Sequence, residues 1–185
     1  PKMYFEQVEM YHSVFSYSSV GVLIDCLLFV VSALALVCLG TQFYDSIKPE
    51  YTLILIFCAL GASMMISAND LISIYIALEL QSFSLYLIAC LRIDLSSSTH
   101  ASLKYFLLGA MSSAFILLGI SLVYQQVGST NFNHLNAYME TVQVGLGGQQ
   151  EGFSHFLDEH LVLILGLLSI LCGCIFKISA APFHS

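Results

Sequence analysis

Two ionisable residues stand where an apolar side chain would be expected. Glu79 lies near the middle of the apolar run from Leu71 to Leu91, and Lys177 lies near the end of another, from Leu161 to Ala181. A charge at the centre of a bilayer costs about 2.5–3.5 kcal/mol even on the most lenient insertion scale, so each residue marks a candidate functional site. Tyr75, Glu79, Ser82 and Tyr86 follow one another at spacings of four, three and four, which puts them on one face of a helix and draws a polar stripe through apolar surroundings. Such a face should line protein or water. Burial disfavours the charged form of a carboxyl and a nearby cation favours it, so a modest rearrangement beside such a group can capture or release a proton. A static ion pair, or a hydrogen-bonded carboxyl between helices, is the plainer alternative.

Lys177 stands in the stretch FKISAAPFH, residues 176–184. Pro182 has no amide hydrogen and clashes one turn back, which leaves the carbonyl of Ile178 without its helical partner, so the last helix is expected to break near Pro182. Broken membrane helices are tolerated where they line a water-filled cavity or are buried in protein, and they mark ion paths in transporters. A desolvated lysine beside a break can exchange a proton. Equally, Lys177 can snorkel to the interface with Pro182 as an ordinary helix stop. Lys104 opens the fourth apolar run and has the same two options. Turned inward, it would complete an order of acid, base, base across three helices, which suits a relay better than a ligand site. Asp25, a turn or two inside the first run, reads as an interfacial acid.

The elements that must position these residues are membrane helices. Of the 185 residues 58% are hydrophobic and only 9% are charged, far from the composition of an ordinary soluble domain. That length has room for about five spans of ~20 residues and their connections. The runs are Val20–Gly40, Tyr51–Ala68, Leu71–Leu91, Leu103–Tyr124 and Leu161–Ala181. Pro49 marks the turn before the second run, and Asn69 and Asp70 form a tip so short that the second and third helices must pack antiparallel, with either residue suited to cap the third. Asp94 and the run from Ser96 to Thr99 offer the next cap. The expected organisation is an extramembrane amino-terminal segment (1–19), four spans (20–124), a polar loop (125–160) and a fifth, interrupted helix (161–185).

The loop 125–160 carries four acids and no Lys or Arg, and it shares a side with the amino terminus if five helices alternate. Lys48 and Arg92 fall on the other side, which the positive-inside rule makes the cytoplasm or the mitochondrial matrix. A net charge of −7 with five Lys and Arg argues against a nucleic-acid partner and against a polybasic membrane-surface helix. Nothing in residues 1–19 has presequence character, since Glu6 and Glu9 interrupt it. The six cysteines, Cys26, Cys38, Cys58, Cys90, Cys172 and Cys174, lie in or at the ends of apolar runs with no CxxC pair, so they read as small hydrophobes. His155, Asp158, Glu159 and His160 are a local polar cluster whose acids suit a helix start better than a metal. No phosphate loop, nucleotide fingerprint or nucleophile elbow is present.

Three stretches in order, LISIYIALELQS (71–82), ASLKYFLLGA (101–110) and FKISAAPFH (176–184), resemble NADH dehydrogenase subunit 2 of respiratory complex I, an antiporter-like subunit of its membrane arm. The resemblance covers about Tyr51 to Ser185. It implies an all-α membrane protein that translocates protons through buried charges and water, with Glu79, Lys104 and Lys177 on the proton pathway. It implies no cofactor in this chain, redox chemistry elsewhere in the complex, and a place in the mitochondrial inner membrane with the acidic loop towards the intermembrane space. Partners would be other membrane-arm subunits and lipid. The family has up to fourteen helices around two inverted repeats of five, and this chain resembles only the stretch from the third helix into the first repeat. The expectation is therefore the amino-terminal part of a subunit encoded in pieces, with Pro1 left after removal of an initiator Met and a second chain docking against residues Lys177 to Ser185. A cation/proton antiporter subunit and a purely structural membrane scaffold are the competing readings.

Overall fold

The computed structural model describes residues 8–11, 13–42, 49–90, 96–148 and 153–178. Six helices and one small hairpin make up this part of the chain: β1 (Val8–Met10), β2 (Phe15–Tyr17), α1 (Ser19–Gln42), α2 (Pro49–Ser67), α3 (Leu71–Cys90), α4 (Ser96–Val127), α5 (Phe132–Gly148) and α6 (Phe153–Lys177). Four of them, α1 to α4, are long and apolar enough to cross a membrane, and α6 adds a shorter apolar stretch, Leu161–Lys177. The all-α membrane architecture expected from hydropathy is therefore present. Pro49 is the first residue of α2, where its fixed φ suits a helix start and its missing amide leaves no bond unmade. No residue of the window Ser19–Cys38 in α1 is buried within the chain, as befits a helix whose solvent is lipid or another helix.

Contacts divide the chain into two compact units. The first comprises Pro1–Asn69 and Ser73–Leu107, the second Asp70–Ile72 and Leu108–Ser185. In the first, β1 and β2 form an antiparallel pair with Val8 opposite Tyr17 and Met10 opposite Phe15. Phe15 also bridges Ala68, the amide of Asn69 donates to the carbonyl of Val14 at 2.8 Å, and the Asn69 side chain donates to the carbonyl of Ser13 at 3.0 Å. The hairpin is thus strapped to the end of α2. Its turn contains two non-glycine residues with left-handed backbones, Tyr11 (φ 53°) and Ser13 (φ 66°), and Ser13 donates a hydrogen bond to the Glu9 carboxylate at 2.5 Å. Helix α1 packs along α2, and Gly21 faces Ile66.

Antiparallel packing of α2 on α3 is confirmed at Gly61. A Cβ there would lie 2.8 Å from the Gln81 amide nitrogen and 3.0 Å from the Ala77 carbonyl oxygen, closer than a side chain allows, so glycine lets the two backbones approach. The expected cap of α3 is not made in the simple way. Asn69 spends its side chain on Ser13, and Oδ1 of Asp70 is buried with no hydrogen-bond partner. Instead, in the second unit, the amide of Leu71 donates to the carbonyl of Thr130 at 3.0 Å, and Asp70 bridges Asn131. The tip between α2 and α3 is held by tertiary pairing, which displaces the local cap.

In the second unit α4 and α6 run antiparallel against each other along a seam of small residues. A Cβ at Gly119 would meet the Gly166 carbonyl oxygen at 2.5 Å, and one at Gly173 would meet the Ser112 carbonyl oxygen at 2.8 Å. The hydroxyl of Ser169 donates across the seam to the carbonyl of Phe115 at 2.8 Å, and the rings of Phe115 and Phe176 stack at 6.4 Å. Buried Ile116, Ile120, Val123 and Leu163 fill the remaining space. The segment expected as a polar loop, 125–160, contains α5 and the start of α6. Asn131 caps α5, its Oδ1 accepting from the amide of Asn133 at 2.9 Å.

Candidate functional site

Helix α3 is buried on two sides, and the two sides differ in chemistry. At about 100° per residue, Ser73, Ala77 and Ser84 form one stripe, while Tyr75, Glu79, Ser82 and Tyr86 form another on roughly the opposite side. The first stripe meets α2, because Gly61 lies against Ala77 and Gln81. The second turns towards α4, where the ring of Tyr86 stands at 89° to both Tyr105 and Phe106 with centroids at 4.8 and 5.7 Å. Ile72, Ile76 and Phe83 lie between the stripes and stay exposed. The stripe read from spacing is therefore a real polar face of the helix.

Glu79 and Tyr75 are half-buried, while Ser82 and Tyr86 are buried. The hydroxyl of Ser82 donates to the carbonyl of Leu78 at 2.6 Å, and Ser84 donates likewise to Leu80 at 2.8 Å, so these hydroxyls are satisfied within the helix without a partner helix or water. Tyr86 follows Ser82 by one turn and Glu79 by two turns on this side of α3.

Lys104 does not open its helix. Because α4 starts at Ser96, the Ser96–Thr99 run being helical, Lys104 falls in the third turn and is exposed. Its neighbour Tyr105 packs on Tyr86, so Lys104 lies at the level of Tyr86 along α3, and Glu79 is about 10 Å further along that axis. Lys177 belongs to the second unit. It is half-buried in the last turn of α6, beside the stacked Phe176, where a cation also suits the helix dipole. Beyond it Ile178 forms a turn, its amide donating to Cys174 at 3.0 Å. Pro182, with the expected break, lies outside the described residues, as do His155, Asp158, Glu159 and His160 as side chains. Among the described residues no three His, Cys, Asp or Glu are placed to hold a metal. Oδ1 of Asp25 in α1 is buried without a hydrogen-bond partner, an ionisable group inside a span where its position in the sequence suggests the interface.

Residues 68–185 match the family described as NADH:quinone oxidoreductase/Mrp antiporter, transmembrane. The chain belongs to that family. Among relatives in the NADH:quinone oxidoreductase/Mrp antiporter family, NADH-quinone oxidoreductase subunit N 1 of Rhizobium meliloti (strain 1021) is 45% identical over 135 residues, covering 73% of this chain and 25% of the relative. NADH-ubiquinone oxidoreductase chain 2 of Rhizopus oryzae is 41% identical over 140 residues, covering 76% of this chain and 24% of the relative. The chain thus spans about a quarter of the length of these family members. A chain of respiratory complex I from Thermus thermophilus with bound aureothin superposes with a TM-score of 0.67 at 27% identity, covering 98% of this chain and 35% of that one. The membrane-bound sulfane sulfur reductase, an archaeal respiratory membrane complex, shares the fold with a TM-score of 0.62 at 21% identity.

Proposed function

We propose that the chain forms part of a proton-translocating membrane-arm subunit of an NADH:quinone oxidoreductase, coupling redox chemistry elsewhere in the complex to proton movement through buried Glu and Lys. The observation that carries this is Glu79, an acid half-buried on the polar face of α3, in a chain of this family whose matched relatives are NADH:quinone oxidoreductase subunits. In this reading Glu79 takes up and releases a proton, Tyr75, Ser82 and Tyr86 supply a hydroxyl-lined surface beside it, and Lys104 and Lys177 are the basic members of the relay. The role requires no cofactor in this chain.

The proposed setting is the mitochondrial inner membrane, with residues 125–160 towards the intermembrane space because that segment carries four acids and no Lys or Arg. Its partners would be further membrane-arm subunits, lipid, and the remaining length of such a subunit, whether carried on the same polypeptide or on another. The family description also covers Mrp antiporters, which keeps a cation/proton antiporter subunit as the second reading. Tagging this chain and purifying the intact assembly distinguishes them. NADH–quinone activity that co-purifies supports the first reading, and cation/proton exchange without that activity supports the second.

A further inference from the structure

One carboxyl inside a span has no part in the proposed relay. Asp25 lies on α1, about 9 Å along the helix from its first residue, Ser19. Gly21, Asp25, Leu28, Ser32 and Ala35 are half-buried at spacings of four, three, four and three, so they draw one face of a helix that is otherwise largely exposed. That face meets α2, because a Cβ on Gly21 would lie 3.8 Å from Cγ2 of Ile66. One turn on from Gly21 in α1 is one turn back from Ile66 in α2, which sets Asp25 level with the half-buried Ala62.

Oδ1 of Asp25 has no hydrogen-bond partner and is enclosed so fully that no water can reach it. The other titratable groups of the two packed helices are Cys26 and Cys38 on α1 and Glu50, Tyr51 and Cys58 on α2, and none of them is a cation. An ionised carboxyl that leaves water needs donors or a positive charge in their place, and without either the group neutralises itself by holding a proton. We propose that Asp25 is a second proton-binding carboxyl of this chain, seated at the contact between α1 and α2, with a proton as its ligand. The site is independent of the relay reading of Glu79, which lies on another helix and another face.

The test uses the intact complex in its membrane. Dicyclohexylcarbodiimide, an apolar reagent, adds to a protonated carboxyl: the acid proton moves to a nitrogen of the reagent and the carboxyl oxygen bonds to its central carbon. The acyl group then shifts to nitrogen, which leaves a stable N-acylurea and expels nothing. Mass spectrometry should find this adduct on Asp25 at neutral pH, with a yield that falls about tenfold per pH unit once the proton is lost. Exposed Glu140 should stay unmodified by the apolar reagent. Asp25→Asn has the shape of the neutral acid and should leave unchanged the temperature at which this chain leaves the complex. Absence of the adduct, or modification by a water-soluble carbodiimide alone, would overturn the assignment. So would a lower release temperature in Asp25→Asn, which would show an ionised carboxylate paired with a cation from another chain, and this readout does not depend on access of the reagent. Normal pumping by Glu79→Gln would refute the relay reading and leave the Asp25 site standing.

Discussion

Helices α4 and α6 approach closely at Gly119, and replacing it with alanine gives a measurable consequence. The new methyl group would sit 2.5 Å from the Gly166 carbonyl oxygen, 2.6 Å from Cγ1 of Ile170 and 2.8 Å from the Ile170 amide nitrogen. Two of these are backbone atoms that no rotamer change can move. Restoring an ordinary contact of 3.4 Å requires α4 and α6 to part by about 0.9 Å there. The Ser169 to Phe115 hydrogen bond, now 2.8 Å, would then exceed hydrogen-bonding range. Overpacking costs about 1–3 kcal/mol, and an interhelical hydrogen bond in a membrane about 0.6–2 kcal/mol. The intrinsic gain of alanine over glycine in a helix, about 0.5–1 kcal/mol, offsets part of this. The net loss is about 1–4 kcal/mol, or several degrees in the temperature at which this chain leaves the intact complex. The matched control is Gly21→Ala in α1, where the methyl would meet only the Ser18 hydroxyl at 3.3 Å and Ile66 at 3.8 Å. It should leave that temperature unchanged or slightly raised. Equal stability of the two variants would refute the close seam.

Further outcomes follow from named contacts. Ser169→Ala should lower stability by about 0.6 kcal/mol, less than Gly119→Ala, in the same heating assay; a loss as large as that of Gly119→Ala would place the energy of the seam elsewhere. Asn69→Ala removes the side-chain bond to Ser13 and leaves the backbone bond to Val14, so amide exchange in residues 15–17 should accelerate roughly fivefold without loss of the helices. Glu140 is exposed on α5. Glu140→Cys should therefore react with an impermeant thiol reagent added from the intermembrane-space side, and labelling only from the matrix side would reverse the proposed orientation.

Hydropathy placed α1, α2 and α3 to within a residue or two, because membrane spans are set by length and apolarity, and both are visible in the sequence. The polar stripe was equally legible, since helical periodicity alone puts Tyr75, Glu79, Ser82 and Tyr86 together. The start of α4 was not, because Ser96 to Thr99 are too polar for hydropathy to count as helix, and that misplaced Lys104 at a helix start. Helix α5 was hidden for a similar reason: it is only moderately apolar, and its cap, Asn131, was the one signal that could have revealed it. The hairpin lacked a turn signature, since Tyr11 and Ser13 adopt left-handed backbones usually reserved for Gly or Asn. The simple cap expected at Asn69 and Asp70 gives way to tertiary bonds: the carbonyls of Ser13 and Val14 hold the Asn69 side-chain and backbone N–H groups, and the Thr130 carbonyl takes the Leu71 amide, while Oδ1 of Asp70 has no partner. Glycines 119, 166 and 173 stood in plain view within apolar helices, but close helix packing is a property of pairs that one helix does not display.

The central claim is that Glu79 exchanges protons as part of the pump. The most direct measurement is the ratio of protons translocated to electrons transferred, taken with the intact complex carrying Glu79→Gln and reconstituted in sealed vesicles. The substitution keeps shape and hydrogen bonding while removing the titratable charge. The account predicts an assembled complex whose proton-to-electron ratio is reduced. An assembled complex with an unchanged ratio and rate would contradict it, and failure to assemble would favour a structural role for the acid.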